Sequence, residues 1–76
     1  MTFHEWLRCT IKNSGLTQRH IYQTAGISKS SLDKWLAGTR YPKVAQLYTL
    51  CSIVAPDSHI DAYLLASNII VSECGN

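Results

Sequence analysis

The sequence predicts an all-α fold, a compact bundle of about five short helices. Apolar residues recur three or four positions apart along most of the chain, the spacing that puts them on one face of a helix. Residues that cap or end helices divide the chain into about five such segments. No run alternates apolar and polar residues for long enough to indicate a strand.

The chain length predicts a single domain covering residues 1–76. With 76 residues there is room for one small core and none for a separate catalytic domain. The 46% apolar and 16% charged residues are typical of a folded globular protein. No apolar run approaches the roughly 20 residues of a membrane-spanning helix, and the first residues do not resemble a signal peptide. We therefore expect a cytoplasmic protein with no membrane partner.

The first helix begins with a capping box, because Thr2 is followed three residues later by Glu5. It is predicted to run to about Asn13, and Gly15 can take the left-handed conformation that ends it. One face carries its apolar residues, which we expect in the core: Phe3, Trp6, Leu7 and Ile11.

Two shorter helices follow, separated by a tight turn. Thr17 is the predicted cap of the second, which contains Ile21 and runs to about Ala25 before Gly26 breaks it. Ser28 caps the third helix, and Gly38 ends it. Its inward stripe is Leu32, Trp35 and Leu36.

The fourth helix is predicted to be scaffold, and a fifth helix follows it. Pro42 is acceptable in the first turn of the fourth helix. The residues predicted to face inward there are Val44, Leu47, Leu50, Cys51 and Val54. Residues 56–58 stop this helix and cap a fifth, which is predicted from about His59 to Ser72.

Charge is distributed unevenly along the chain. The net charge is +2, but all seven cations precede residue 44: Arg8, Lys12, Arg19, Lys29, Lys34, Arg40 and Lys43. Residues 1–56 contain these seven cations and two carboxylates, so their net charge is +5. Residues 57–76 contain three carboxylates and no cation, so their net charge is −3. A basic first part predicts a polyanionic partner, and an acidic, apolar-rich tail predicts a protein partner. The alternative for the first part is a solvated basic face.

Residue spacing predicts neither a metal site nor a catalytic one. The three cysteines and three histidines are scattered, with no C-x-x-C pair and no pair at metal-ligand spacing. No nucleophile and base, no paired carboxylates and no Gly-rich phosphate loop can be assembled. We expect no metal, no cofactor and no small-molecule ligand, and a protein that is not an enzyme.

Residues 16–54 resemble the helix-turn-helix domain of the lambda repressor and Cro family. The resemblance rests on Leu16-Thr17-Gln18, Ile21, Gly26-Ile27-Ser28, Leu32, and the W-x-x-G-x-x-x-P pattern formed by Trp35, Gly38 and Pro42. It implies a lambda repressor-like fold in which residues 17–37 are the helix-turn-helix and the third helix enters the major groove of DNA.

The resemblance also implies which residues contact DNA. The base-reading residues would be Lys29, Ser30, Ser31, Asp33 and Lys34, whose side chains suit the donors and acceptors of base edges. The phosphate-contacting residues would be Gln18 at the start of the second helix and the cluster Thr39, Arg40, Tyr41 and Lys43. The alternative is that these residues form an ordinary solvated surface.

The chain departs from the family pattern at two places. Tyr22 stands where the family usually has Ala, and Ala25 is small where the family usually has a larger apolar residue, so we expect the two changes to offset each other in volume. Ala37 stands where several relatives carry a polar residue that reaches phosphate. One backbone contact is therefore missing from the expected set.

A homodimer is expected because one recognition helix reads only a few base pairs. Proteins of this size gain specificity by binding two half-sites about 34 Å apart. The fifth helix, over about residues 58–72, carries two apolar stripes. The first would pack on the domain: Ile60, Tyr63, Leu64, Ser67 and Val71. The second would form the dimer interface: Ala62, Leu65, Ala66 and Ile69. The alternative is a fifth helix buried on all sides, with residues 69–71 as an irregular or extended end.

The predicted function is that of a sequence-specific regulator that binds double-stranded DNA, a Cro-like repressor at a palindromic operator. The alternative is an antitoxin or adaptor whose main role is binding another protein through the acidic, apolar tail.

Overall fold

The computed structural model describes residues 1–74 and confirms the all-α fold. Five α-helices follow in order: α1 (Phe3–Ser14), α2 (Gln18–Ala25), α3 (Lys29–Ala37), α4 (Val44–Val54) and α5 (His59–Cys74). A single 3-10 turn over Pro56–Ser58 leads into α5. No strand occurs within residues 1–74. None of the helices in this part of the chain has both the length and the apolar character needed to cross a membrane.

The predicted N-terminal caps of the first three helices are confirmed. In α1 the Thr2 hydroxyl accepts from the Glu5 backbone N–H at 3.3 Å, and the Glu5 carboxylate accepts from the Thr2 N–H at 2.9 Å. This capping box satisfies two amides that the helix itself leaves unpaired. The hydroxyls of Thr17 and Ser28 accept in the same way at the starts of α2 and α3.

One core holds the helices together, with α1 packed on α3 and α5, and α4 packed on α2 and α5. The predicted apolar stripes of α1 and α3 are buried, as are Ile21 of α2 and four of the five predicted residues of α4. Burial raises the pKa of the Cys51 thiol to about 11, so this cysteine stays protonated and acts as a small apolar side chain.

The start of α4 differs from the prediction. Pro42 is buried and lies before the helix, Lys43 occupies the cap position, and the Gln46 amide oxygen accepts from the Lys43 N–H at 2.9 Å. Val44, predicted to face inward, is 71% exposed. The reason is its place in the first turn, at the edge of the bundle, where no neighbouring helix covers it.

The face of α5 that packs on the core is also not the predicted one. Ala66 is fully buried, so its assignment to a dimer interface was wrong. Ala62 and Ile69 are partly buried against the core. Of that set only Leu65 is exposed. Three residues predicted to pack on the domain, Ile60, Leu64 and Val71, are exposed instead.

The physical reason lies in the size of the side chains. Ala62 and Ala66 are four residues apart on one face, and their small side chains allow α5 to approach α4 and α1 closely. Tyr63 and Ile70 flank this alanine line and fill the space beside it. The alternative of an irregular or extended end at residues 69–71 was also wrong, since α5 is helical through Cys74.

Candidate nucleic-acid interface

A tight turn at residues 26–28 joins α2 to α3. Gly26 adopts the left-handed conformation with φ of 71°, and the Tyr22 carbonyl accepts from the Ile27 N–H at 3.0 Å. Ile27 and Tyr22 are both half-buried against the core. The bulky Tyr22 is thus accommodated at the rim beside a small Ala25, which fits the expected offset in volume.

The outer face of α3 is open to solvent. Lys29, Ser30, Asp33 and Lys34 are all exposed, as predicted for residues that contact a partner. At 100° per residue, Ser30, Lys34 and Ala37 form one line along the middle of that face, opposite the buried stripe. Lys29 and Asp33 lie beside this line.

Lys29 and Asp33 form an ion pair across one turn of α3. The Lys29 Nζ lies 3.9 Å from an Asp33 carboxylate oxygen, and the side chains are 70% and 52% exposed. Exposed pairs of this kind contribute little to stability, because water screens both charges. The pair does neutralise one of the two lysines on the outer face, which leaves Lys34 as its unpaired cation within residues 1–74.

Ser31 differs from the other predicted base-reading residues. It is only half-exposed, its hydroxyl accepts from the Ser28 hydroxyl at 3.0 Å, and its backbone N–H donates to the same Ser28 oxygen. Ser31 therefore belongs to the N-terminal cap of α3, and its prediction as part of the exposed outer face was wrong.

The loop between α3 and α4 carries the predicted phosphate cluster. Thr39, Arg40, Tyr41 and Lys43 are all exposed. Two of their donors are engaged, because the Thr39 hydroxyl donates to the Lys34 carbonyl at 3.1 Å and the Tyr41 hydroxyl donates to the Glu73 carboxylate. Within residues 1–74 the side chains of Arg40 and Lys43 form no hydrogen bond or ion pair. These two cations are the available members of the cluster.

The first turn of α2 adds two exposed polar side chains. The Thr17 hydroxyl accepts from the His20 N–H. The backbone N–H groups of Gln18 and Arg19 have no partner within the helix, as at any helix start. Gln18 is exposed as predicted. Arg19 is exposed beside it and was not among the predicted contacts. Its position directly after Gln18, at the positive end of a helix, is the sequence feature that could have indicated it.

The first turn of α1 lies directly against the end of α3. Gly38 has φ of 81°, and a Cβ atom added there would lie 2.8 Å from the Nδ1 atom of His4. Glycine is required at this position both by its backbone conformation and by the histidine ring. The end of α3, where the loop with Arg40 and Lys43 begins, is therefore packed against the first turn of α1.

Glu73 is the residue near this loop that sequence reasoning missed. Its carboxylate accepts from the Phe3 backbone N–H and from the Tyr41 hydroxyl. The Tyr41 hydrogen bond lowers the pKa of Glu73, and the same bond raises the pKa of Tyr41. The two partners lie 70 and 32 residues away along the chain, so no local pattern indicates either contact.

A second exposed surface is apolar and lies along α4 and α5. Ile60 and Leu64 are four residues apart on α5, and Val71 is seven residues further than Leu64, so the three share one face. Val44 and Val71 line the same groove of about 140 Å³ between the two helices. We call the set Val44, Ile60, Leu64 and Val71 the α4–α5 apolar surface; each member is more than half exposed.

An open cleft of about 420 Å³ lies elsewhere on the molecule, lined by Thr10, Asn13, Ser14 and residues 54–58. Asp57 is its one carboxylate, and it has no histidine or cysteine. Among residues 1–74, no group of three or more His, Cys, Asp or Glu side chains is arranged to hold a metal ion.

Comparison with known proteins gives no match: no family model, no curated protein and no solved structure is similar to this chain.

Proposed function

We propose that this protein is a sequence-specific regulator of transcription that binds double-stranded DNA, a Cro-like repressor acting as a homodimer on a palindromic operator. The observation that carries the proposal is the exposed outer face of α3, with Lys34 unpaired at its middle and Arg40 and Lys43 directly after it. A binding protein of this kind has no catalytic step, and we propose no enzymatic activity.

The outer face of α3 supports base reading. A helix fits the major groove of B-DNA, where each base pair presents its own donors and acceptors. Ser30 and Lys34 share the central line of the face, and lysine suits guanine O6 and N7. The Lys29–Asp33 pair beside them offers one donor and one acceptor group. These four side chains would read the half-site.

The surrounding groups support contact with the DNA backbone. Gln18 and Arg19 lie at the start of α2, where unpaired amides and the helix dipole favour an anion. Arg40 and Lys43 supply two cations on the other side of α3. Such contacts orient the protein on the duplex without reading its sequence.

The α4–α5 apolar surface supports self-association. Four exposed apolar residues on one patch are typical of an interaction site, and a repressor with one recognition helix needs a second copy to read a full operator. We propose that two copies pair through this surface, in place of the predicted interface, whose central residue Ala66 is buried within the chain.

Replacing Lys34 with Ala is expected to relax base preference. The variant loses the unpaired donor on the central line of α3, at a cost of about 1–3 kcal/mol in discrimination at the base pair it reads. Kd values for a selected operator and for operators changed at single positions would measure the effect. Arg40→Ala is the comparison, because it should weaken binding to all these duplexes alike. Equal loss on every duplex for both variants would contradict the assignment of Lys34 to base reading.

Replacing Leu64 with Gln is expected to convert the dimer to a monomer, because it places an amide in the middle of the α4–α5 apolar surface. Sedimentation equilibrium at micromolar concentration would measure the change. Leu65→Gln is the matched control, since Leu65 is equally exposed but lies about 100° around the helix from Leu64. Dissociation by Leu65→Gln instead, or by neither variant, would place the interface elsewhere.

The second candidate function is an antitoxin or adaptor that binds a different protein. The α4–α5 apolar surface favours it, because the same patch could accept another chain and because residues 57–76 are acidic. Co-purification with a distinct partner, together with no salt-sensitive binding of DNA at micromolar concentration, would favour this function over the first.

A further inference from the structure

The carboxylate of Glu73 joins three distant parts of the chain. It lies in the last turn of α5, yet it accepts from the Phe3 N–H at the start of α1 and from the Tyr41 hydroxyl in the α3–α4 loop. The Tyr41 ring also lies against Phe3, with centroids 5.9 Å apart. We call this set of contacts the Glu73 latch: Phe3, Tyr41 and Glu73.

The donors that Glu73 occupies are of the kind that a phosphate accepts. The Phe3 N–H is one of the amides that α1 leaves unpaired at its positive end. The Tyr41 hydroxyl has a single proton, and donation of that proton to Glu73 means that it is not donated to anything else. A carboxylate and a phosphate therefore compete for the same two groups.

The negative charge of Glu73 also opposes the binding of phosphate. Tyr41 lies between Arg40 and Lys43 in the sequence, so the latch holds a negative charge against the loop that carries both cations. A DNA phosphate that approaches this loop is repelled by the carboxylate. The Glu73 side chain is exposed, so its carboxylate is hydrated when it moves away. The Phe3 N–H is part-buried and then needs a new acceptor, which an incoming phosphate can supply.

We propose that Glu73 is an internal competitor of the DNA backbone, an autoinhibitory contact that opens when a phosphate takes its place beside Tyr41. The inference rests on the proposed DNA-binding function. In the closed latch, the carboxylate limits the attraction of the loop for any polyanion. In the open latch, the Tyr41 hydroxyl becomes a phosphate donor, as the sequence predicts for this residue.

Charged groups around the latch favour the ionised carboxylate. The Tyr41 and Phe3 hydrogen bonds lower the pKa of Glu73, and the nearby His4 and N-terminal amine lower it further. Glu73 therefore carries its full negative charge at neutral pH, and its competition with phosphate does not depend on a change of protonation in that range.

Glu73→Gln tests the proposal, because glutamine keeps an acceptor for the two donors but removes the charge. We expect this variant to bind a generic duplex more tightly at low salt, by about fivefold for each subunit in contact, the effect of about one unit charge near a phosphate in water-like surroundings. Asp61→Asn is the matched control: it makes the same change of net charge on the same helix, and Asp61 forms no ion pair or side-chain hydrogen bond within residues 1–74. Equal binding by the two variants would overturn the proposal.

Hydrogen exchange at the Phe3 amide provides a second measurement on the unaltered protein. If the latch opens, saturation with duplex changes the exchange rate and chemical shift of this amide, and Glu73→Gln shifts the same signal in the absence of DNA. An unchanged Phe3 amide in the DNA complex would overturn the proposal even if Glu73→Gln binds more tightly. Absence of salt-dependent binding by all three proteins would instead contradict the proposed function itself.

Discussion

Replacing Arg40 and Lys43 together with Ala is expected to weaken binding to every duplex by about a hundredfold or more at low salt. In a dimer the change removes four contacts to phosphate, each a charge-assisted hydrogen bond with a net contribution of about 0.7 kcal/mol or more. Each contact also releases condensed counterions, so the slope of log Kd against log salt is expected to fall by about one unit per contact, or about four in a dimer.

The matched control is the pair Arg8→Ala and Lys12→Ala. It removes the same two residue types, and both side chains are exposed on the face of α1 opposite its buried stripe. We expect this control to keep most of its affinity and its salt slope. A similar loss in both double variants would mean that the protein binds DNA through overall charge, and the assignment of the α3–α4 loop to the backbone would be wrong.

Replacing Gly38 with Ala is expected to lower the free energy of unfolding by about 2–5 kcal/mol, a large part of the stability of so small a domain. The left-handed conformation alone costs a residue with a Cβ about 1–2 kcal/mol. The new Cβ would also lie 2.8 Å from the His4 ring, and overpacking of that kind costs about 1–3 kcal/mol more. Urea unfolding followed by circular dichroism would measure the change.

Gly15 supplies the control for Gly38. It has a similar φ of 73°, but a Cβ added there would meet nothing within 4 Å, so Gly15→Ala should show the conformational cost alone. Replacing His4 with Ala in the Gly38→Ala background should bring the cost close to that of Gly15→Ala. Equal destabilisation by the two single variants would show that the His4 contact imposes no constraint.

Local patterns were enough to predict the first three helices. α1 and α3 each have one apolar stripe, which must be the buried face, and their caps need only residues three positions apart. Thr17 and Gly26 set the bounds of α2 in the same local way. The exposed outer face of α3 could be predicted as well, because all its residues outside the buried stripe except Ala37 are polar.

α5 was harder because it has two apolar stripes. Hydrophobicity alone favoured the larger residues Ile60, Leu64 and Val71 as the buried set, but close packing favoured the line of Ala62 and Ala66. Which face of α5 is buried depends on the distance between the helices, and the spacing of apolar residues along one helix does not indicate that distance. Val44 was mispredicted for a related reason, since its exposure depends on where the bundle ends.

The contacts around the candidate interface could not be predicted for a different reason. Glu73 with Tyr41 and Phe3, and His4 with Gly38, join residues that are 32 or more positions apart. The chain gives no local sign of either pairing. The Thr39 hydroxyl is a local exception, because it donates to the Lys34 carbonyl at the end of α3 and that proton is not available to a phosphate.

Selection of bound duplexes from a random pool tests the central proposal most directly. We expect a consensus with two-fold symmetry and half-sites about one helical turn apart, because in the proposed dimer each copy would place α3 in a major groove. Repeating the selection with Lys34→Ala should lose preference at one position in each half-site while the spacing is kept. A pool that shows no enriched sequence would contradict sequence-specific DNA binding, and an enriched single half-site without symmetry would contradict the dimer.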